Sequence, residues 1–182
     1  MFLKKTNAYL SIIIAFFLVV HAGYENTAFF LMYYNPLFSI ITGYIVAGTV
    51  TVHAVISVIC LFVLHDSNSV SYIKLNIRTV IQRICAMLMI VLLPVHIFAF
   101  DLLGRTIGGY GYVLTEALQV LFYAAVFTHI AVSFEKSLIT LGRLEKEAVR
   151  RRLNMILAAA CLVMFIITIV ITITTHIKIF YG

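Results

Sequence analysis

The chain has 182 residues, of which 63% are apolar and only 11% are charged, and its mean hydropathy is +1.10. Soluble domains contain about 45–50% apolar and about 25% charged residues, so a soluble globular protein and a disordered one are excluded. The net charge of +6 would suit nucleic acid, but the basic residues cluster between apolar segments, as membrane topology requires. We therefore expect the chain to contact membrane lipid and no nucleic acid.

Five apolar segments are long enough for transmembrane helices, which need about 20 residues each. In chain order they are 8–22 (with 28–31 as an extension), 37–64, 80–100, 113–141 and 153–177. Asn35-Pro36 precedes the second segment and is typical of a helix start. Because lipid satisfies no backbone hydrogen bond, the sequence predicts an all-α integral membrane bundle of five helices, one domain over residues 1–182.

The basic residues predict the orientation of this bundle. Five spans place the termini on opposite sides, and eleven of the 13 Lys and Arg residues fall on the side of the N-terminus. Cytoplasmic loops are enriched in Lys and Arg, so we expect a cytoplasmic N-terminus in a cell membrane, the bacterial cytoplasmic membrane. Lys4-Lys5, the apolar run and Val20-His21-Ala22 also fit a cleaved signal peptide, which is the alternative interpretation of this segment.

Histidines are the ionisable residues that recur inside the predicted spans. Four of the six lie there: His21, His53, His96 and His129. An ionisable side chain is costly in lipid, so each is a candidate functional residue, with a neutral hydrogen-bonded histidine as the alternative. At 1.5 Å per residue, His21 and His96 lie about 20 Å and about 24 Å from the inner ends of their helices. His53 and His129 both lie about 17 Å from the inner ends.

The matching depths predict two haem sites. Two histidines at one depth on different helices can ligate one haem iron, which gives an outer pair, His21 and His96, and an inner pair, His53 and His129. The cofactors expected are therefore two haem b groups, with the four histidines as metal ligands. Because both axial positions are filled, the expected chemistry is electron transfer and not oxygen activation.

Other uses of the histidines fit less well. Zinc requires ligands that converge in one tetrahedron, whereas these four lie at two depths without a Cys or carboxylate companion. A proton relay would need a carboxylate in the middle of the membrane, and the sequence places none there. His65 and His176 fall at the ends of the predicted helices, where we expect them at the membrane interface.

Four further residues are candidates for binding the cofactor or the quinone. Ser57 and Ser133 follow the inner histidines by one turn, where a small side chain leaves room for a flat macrocycle. Arg83 begins the third span and is a candidate partner for a haem propionate. Glu25, one turn past His21, is our first choice for exchanging protons with a quinone, with a solvated carboxylate as the alternative. Pro94 is expected to kink the third helix just before the outer ligand on it.

With these residues in view, the chain resembles a known family, the two-haem, five-helix cytochrome b membrane anchors of succinate dehydrogenases and fumarate reductases. The best match starts at Ser71-Tyr72-Ile73-Lys74, continues through Val80-Ile81-Gln82-Arg83-Ile84 and reaches Pro94-Val95-His96. His53-Ala54-Val55 is similar to the ligand region of the family's second helix. The regions around the remaining two histidines match in position and only weakly in sequence.

The resemblance implies a complex of several subunits. A cytoplasmic flavoprotein would interconvert succinate and fumarate, and an iron–sulfur subunit would exchange electrons with this anchor. Electrons would pass through the two haems to or from a membrane quinone, for which the resemblance implies menaquinone. This chain would have no catalytic centre for succinate or fumarate. Family members often have Gly where this chain has Ser57 and Ser133, and some have a proton-carrying glutamate where it has Phe127.

Two alternatives to this function stay open at the level of sequence. The same sequence features would be expected in the cytochrome b anchor of another quinone-linked reductase, one with a flavin or molybdenum partner. A haem-free membrane scaffold or a small transporter is the alternative from a different class. Transporters usually show broken helices or an internal repeat near the midplane, and the sequence has neither.

Overall fold

Six helices make up the computed structural model, which describes the backbone of residues 2–63 and 73–181 and the side chains outside 61–76. In chain order they are α1 (Phe2–Leu31), α2 (Pro36–Val63), α3 (Ile73–Ile97), α4 (Ala99–Arg105), α5 (Tyr110–Thr140) and α6 (Glu147–Tyr181). His65 and the Ser71-Tyr72 part of the family motif lie outside the described residues. No strand occurs within the described ranges.

Five of these helices are long and apolar enough to cross a membrane, which confirms the predicted all-α architecture of a multi-pass membrane protein. They are Phe2–Leu31, Pro36–Cys60, Ile77–Ile97, Tyr110–Thr140 and Glu147–Tyr181. Large apolar side chains remain exposed along them, such as Phe16, Val91 and Leu162. In water such a surface would be unstable, and in a bilayer it is the surface that faces lipid.

The helix boundaries differ from the predicted ones chiefly at α3 and α4. The third span was predicted to end at 100, but α3 ends at Ile97 and a separate short helix, α4, follows. Pro94 lies inside α3, and its carbonyl still accepts a hydrogen bond of 3.0 Å from the Phe98 N–H. Leu103 of α4 is fully buried, which explains why this segment folds onto the bundle although it is too short to span a membrane.

The predicted start of α2 is confirmed. Pro36 is its first residue, and the side-chain oxygen of Asn35 accepts hydrogen bonds from the N–H groups of Leu37 (3.1 Å) and Phe38 (3.3 Å). This cap satisfies two of the N–H groups that a helix start leaves without an intrahelical partner. The Tyr24 hydroxyl also accepts a 2.7 Å hydrogen bond from the Asn35 N–H. This bond joins α1 to the residue that caps α2.

Helix α5 is the centre of the bundle, because α1, α3, α4 and α6 all pack against it. Successive spans are antiparallel, and α2 packs mainly against α1. We call the end of the bundle that contains the starts of α1, α3 and α6 the basic end, and the other the opposite end. Within the described ranges, the pairs α1–α3 and α2–α5 are not among the closely packed ones.

Three helices are joined at the basic end by one buried carboxylate. Glu135 of α5, whose side chain is 8% exposed, forms ion pairs with Arg78 of α3 and, at 3.0 Å, with Arg150 of α6. Asn154 of α6 donates a further hydrogen bond of 2.6 Å to it. Since the side chain of Glu135 is almost fully removed from solvent, these donors replace the water that its charge would otherwise need.

Candidate functional site

The four candidate histidines lie on four different helices and at two levels of the bundle. His21 contacts Thr42 of α2, and His53 follows eleven residues later on that helix, about 16 Å along its axis. His96 contacts Gln119 of α5, and His129 follows ten residues later, about 15 Å along that helix. The separation of the two levels is therefore the same on both sides of the bundle.

The hydrogen bond of His129 determines which ring nitrogen has the proton. Its Nδ1 lies 3.1 Å from the backbone carbonyl oxygen of Gln82, a group that can only accept. Nδ1 must therefore be protonated and donate, which leaves the lone pair on Nε2. Gln82 of α3 therefore holds the His129 ring through its backbone carbonyl.

His96 is held in the same tautomer by a fully buried amide. Gln119, which is 1% exposed, donates from its amide nitrogen to the Val95 carbonyl at 2.9 Å, so its oxygen must face His96. That oxygen lies 3.0 Å from Nδ1 of His96, which therefore donates the proton and keeps a lone pair on Nε2. Phe122 stacks on the imidazole at 4.5 Å between centroids and fixes the plane of the ring.

His21 has an equivalent partner on α2. The hydroxyl oxygen of Thr42 lies 3.1 Å from Nδ1 of His21 and within hydrogen-bond distance of the carbonyls of Phe38 (2.9 Å) and Ser39 (3.1 Å). With its proton on one of these carbonyls, Thr42 accepts from Nδ1–H of His21. His96 and His129 therefore share one arrangement, in which Nδ1–H is donated to the protein and Nε2 is left as a ligand atom, and the contact of His21 with Thr42 is compatible with it.

His53 differs from the other three. Its Nδ1 is buried and has no hydrogen-bond partner among the described residues, and the backbone of Asn7 on α1 is a neighbour of the ring. A buried ring nitrogen without a partner is costly, typically about 1–3 kcal/mol. His53 is therefore the one candidate ligand whose Nδ1 forms no hydrogen bond of standard geometry within the described residues, although the backbone of Asn7 interacts with its ring.

Two pairs of histidines are close enough for one imidazole to influence the other electrostatically, His21 with His96 and His53 with His129. That each pair ligates one haem stays a prediction. All four imidazoles are only partly buried. The helices that carry each pair, α1 with α3 and α2 with α5, are among the less closely packed ones in the described structure. Each pair therefore has Nε2 atoms available on two helices that do not pack tightly together. This arrangement fits the two protein ligands of a haem.

The two serines make hydrogen bonds at the basic end. Ser57 accepts a hydrogen bond of 3.0 Å from the side-chain amide of Asn7, which joins α2 to α1. Ser133 donates to the carbonyl of His129 on the preceding turn at 2.5 Å. Both side chains are small, and both hydroxyl groups are satisfied by protein. Their predicted role of leaving room beside an inner haem stays a prediction.

Arg83 and Glu25 lie at opposite ends of the bundle. Arg83 is half-buried on α3, in the turn that follows Gln82. Glu25 accepts a hydrogen bond from the hydroxyl of Ser39 on α2, and its nearer oxygen lies 3.9 Å from Nδ1 of His21. The carboxylate is therefore next to an outer candidate ligand, as the sequence predicted, and half-buried rather than in an open loop.

Sequence reasoning missed the residues that orient the histidines. Thr42 and Gln119 lie on neighbouring helices, far along the chain from the rings they hold, so no local spacing identifies them. It also placed His176 at the membrane interface, whereas the structure buries its ring to 2% exposure against Glu116. One sign of this buried site was present in the sequence, because Glu116 is a carboxylate inside an apolar span.

The described residues contain no group of three or more His, Cys, Asp or Glu side chains arranged around a single metal ion. Two-histidine ligation of haem needs no such group, because the macrocycle supplies the other four ligands. Comparison of the chain with protein-family models, with curated proteins and with solved structures finds no match.

Proposed function

We propose that the chain is a dihaem cytochrome b membrane anchor. It passes electrons between a cytoplasmic iron–sulfur and flavoprotein pair, of the succinate:quinone or fumarate reductase type, and a membrane quinone, menaquinone in the first instance. The observation that carries the proposal is the hydrogen bonding of Nδ1 in His96 and His129 to oxygen atoms that can only accept, which keeps Nε2 for a metal, together with the matching contact of His21 Nδ1 with Thr42.

This arrangement is the one that metal-binding histidines adopt. A ligating imidazole almost always donates its other N–H to the protein, which fixes the ring and raises the basicity of the ligand atom. In the proposed sites, His21 and His96 hold the haem at the opposite end, and His53 and His129 hold the one nearer the basic end. A bis-histidine haem supplies reversible one-electron transfer without an open coordination position.

The charge distribution supports an orientation with the basic end in the cytoplasm. That end exposes basic side chains around the start of α6, among them Arg151, Arg152 and Lys146. Such a surface attracts anionic lipid headgroups and also suits the acidic face of a soluble partner subunit. The proposed electron path therefore begins at the basic end, next to His53 and His129, and reaches the quinone near His21 and His96.

Reduction by a quinol tests this function. The full chain, purified from membranes of a haem-producing host, is mixed with menadiol under anaerobic conditions and followed by visible absorption. The expected result is the appearance of the α band of reduced haem b, at a rate that depends on the quinol concentration. If dithionite reduces the haem and menadiol does not, the quinone part of the proposal is wrong.

Replacing Gln119 with leucine is expected to change one haem and spare the other. Nδ1 of His96 would lose its acceptor and the Val95 carbonyl its donor, and loss of such a partner typically weakens metal binding about 10–100-fold. Redox titration and haem quantification should therefore show a shifted or depleted component beside an unchanged one. Thr115→Val, one turn away on the same helix, removes a buried hydroxyl that bonds only its own helix and should change neither component.

A further inference from the structure

A second buried histidine site lies at the opposite end of the bundle, between α5 and α6. Nδ1 of His176 is 2.6 Å from Oε1 of Glu116, and the two side chains are 3% and 14% exposed. Three aromatic rings surround the imidazole, those of Phe29, Phe100 and Phe180, with centroids 5.2 to 6.2 Å from it. The site is therefore an acid–base pair in an apolar environment, separate from the two proposed haem sites.

Two polar atoms beside this pair form no hydrogen bond of standard geometry with any of the described residues. They are Oε2 of Glu116 and the hydroxyl oxygen of Tyr112, both buried, and Tyr112 as a whole is 9% exposed. Tyr112 lies one turn before Glu116 on α5 and interacts with it electrostatically. Tyr112 is in the first turn of α5, about 3 Å along the helix from its start, and Glu116 lies about 9 Å along it. Tyr112 therefore lies between the Glu116–His176 pair and the end of the bundle, in the direction of the membrane surface.

Burial dictates how many protons the pair contains. An ionised Glu116 beside a neutral imidazole would be a net charge inside the bundle, and isolated charges in a low-dielectric environment are strongly disfavoured. One added proton makes the pair electrically neutral. In the uncharged form, His176 would donate Nδ1–H to Oε1, and a carboxyl proton on Oε2 would be available to the hydroxyl of Tyr112, with which Glu116 interacts.

No neighbouring group supplies a counter-charge in place of this proton. Among the described residues, the titratable side chains at this end of the elements that pack around the pair are His21, Tyr24 and Glu25 on α1, His96 on α3, Asp101 and Arg105 on α4, Tyr110, Tyr112 and Tyr123 on α5, and Lys178 and Tyr181 on α6. Asp101 and Arg105 pair with each other at 2.9 Å. Glu25 is bonded by Ser39, and Lys178 is exposed.

We propose that Glu116 and His176 form a proton-binding site that exchanges one proton, through Tyr112, with the aqueous phase at the opposite end of the bundle. This inference goes beyond the proposed electron transfer and does not depend on haem binding. In the proposed electron-transfer subunit, the site would lie on the quinone side of the membrane. It would take up or release a proton when the charge near His96 changes.

Infrared difference spectroscopy of the full chain in lipid tests the site directly. Spectra recorded across a pH titration are expected to contain the C=O band of a protonated carboxyl group that disappears as the pH rises. Glu116→Gln should remove the band, because its amide accepts from His176 but cannot take the proton. Asp101→Asn, the matched control, replaces an exposed carboxylate at the same end of the bundle and should keep it.

Two further variants make the outcome decisive. His176→Ala keeps the carboxyl group and should shift its band, so the site remains testable even if Glu116→Gln fails to fold. Tyr112→Phe should slow the exchange of the carboxyl proton for deuterium. A spectrum unchanged by either substitution at Glu116 or His176 would overturn the site, and an unchanged exchange rate in Tyr112→Phe would overturn the route. Haem content has no bearing on any of these results.

Discussion

His96→Ala is expected to lower the haem content of the purified chain by about half, because haem held by two axial histidines is lost when one ligand is removed. The remaining haem should keep the spectrum and midpoint potential of the site formed by His53 and His129. The measurement is haem per chain, from a pyridine haemochrome assay and a protein determination on the same monodisperse sample.

The control is Leu92→Ala, which removes a buried side chain one turn earlier on the same helix and provides no ligand. It should retain both haems, although truncation of a buried leucine costs about 2–5 kcal/mol of stability. The double variant His96→Ala/His129→Ala should have no haem. Equal haem content in His96→Ala and Leu92→Ala would show that His96 is not a ligand.

Glu135→Ala is expected to destabilise the junction of three helices at the basic end of the bundle. The substitution leaves two guanidinium groups, of Arg78 and Arg150, facing each other at the junction of α3, α5 and α6. Loss of the partner of a buried ionic hydrogen bond costs about 1–3 kcal/mol, and because both arginines are nearly half exposed we expect about 2 kcal/mol. Thermal unfolding in detergent, followed by circular dichroism, measures the effect.

Glu145→Ala is the matched control, because Glu145 is an exposed carboxylate in the short connection between α5 and α6. Its unfolding midpoint should lie close to that of the wild type, since exposed ion pairs contribute at most about 1 kcal/mol. High salt should leave most of the Glu135→Ala deficit in place, because the carboxylate is buried. Equal midpoints for the two variants would contradict the role assigned to Glu135.

The spans and the depths of the histidines along them could be predicted from the sequence, and the reason is physical. A membrane helix must be a run of about 20 apolar residues, and its rise per residue is fixed, so depth can be counted along the chain. Asn35-Pro36 identified the start of α2 because a cap is a local feature. The same reasoning did not find α4, since Leu103 is buried through contacts with the rest of the bundle and not through a periodic pattern.

The partners of the histidines could not be predicted in this way. Thr42 and Gln119 act across helix–helix contacts, and their significance depends on which atoms face each other after packing. His176 illustrates the same limit, because it lies near the end of a long helix and yet packs inward on Glu116. Hydrogen-bonded pairs between helices depend on rotation about each helix axis, which the apolar pattern of a helix exposed to lipid constrains only weakly.

The haem content of the chain tests the central claim most directly. The full chain is produced in cells that are supplied with enough haem and purified as a monodisperse species in mild detergent. Its haem content is then measured as the pyridine haemochrome. Four histidines in two pairs predict two haem b groups per chain, together with an α band in the dithionite-reduced spectrum. A folded, helical preparation that contains no haem under these conditions would contradict the assignment of His21, His53, His96 and His129 as ligands.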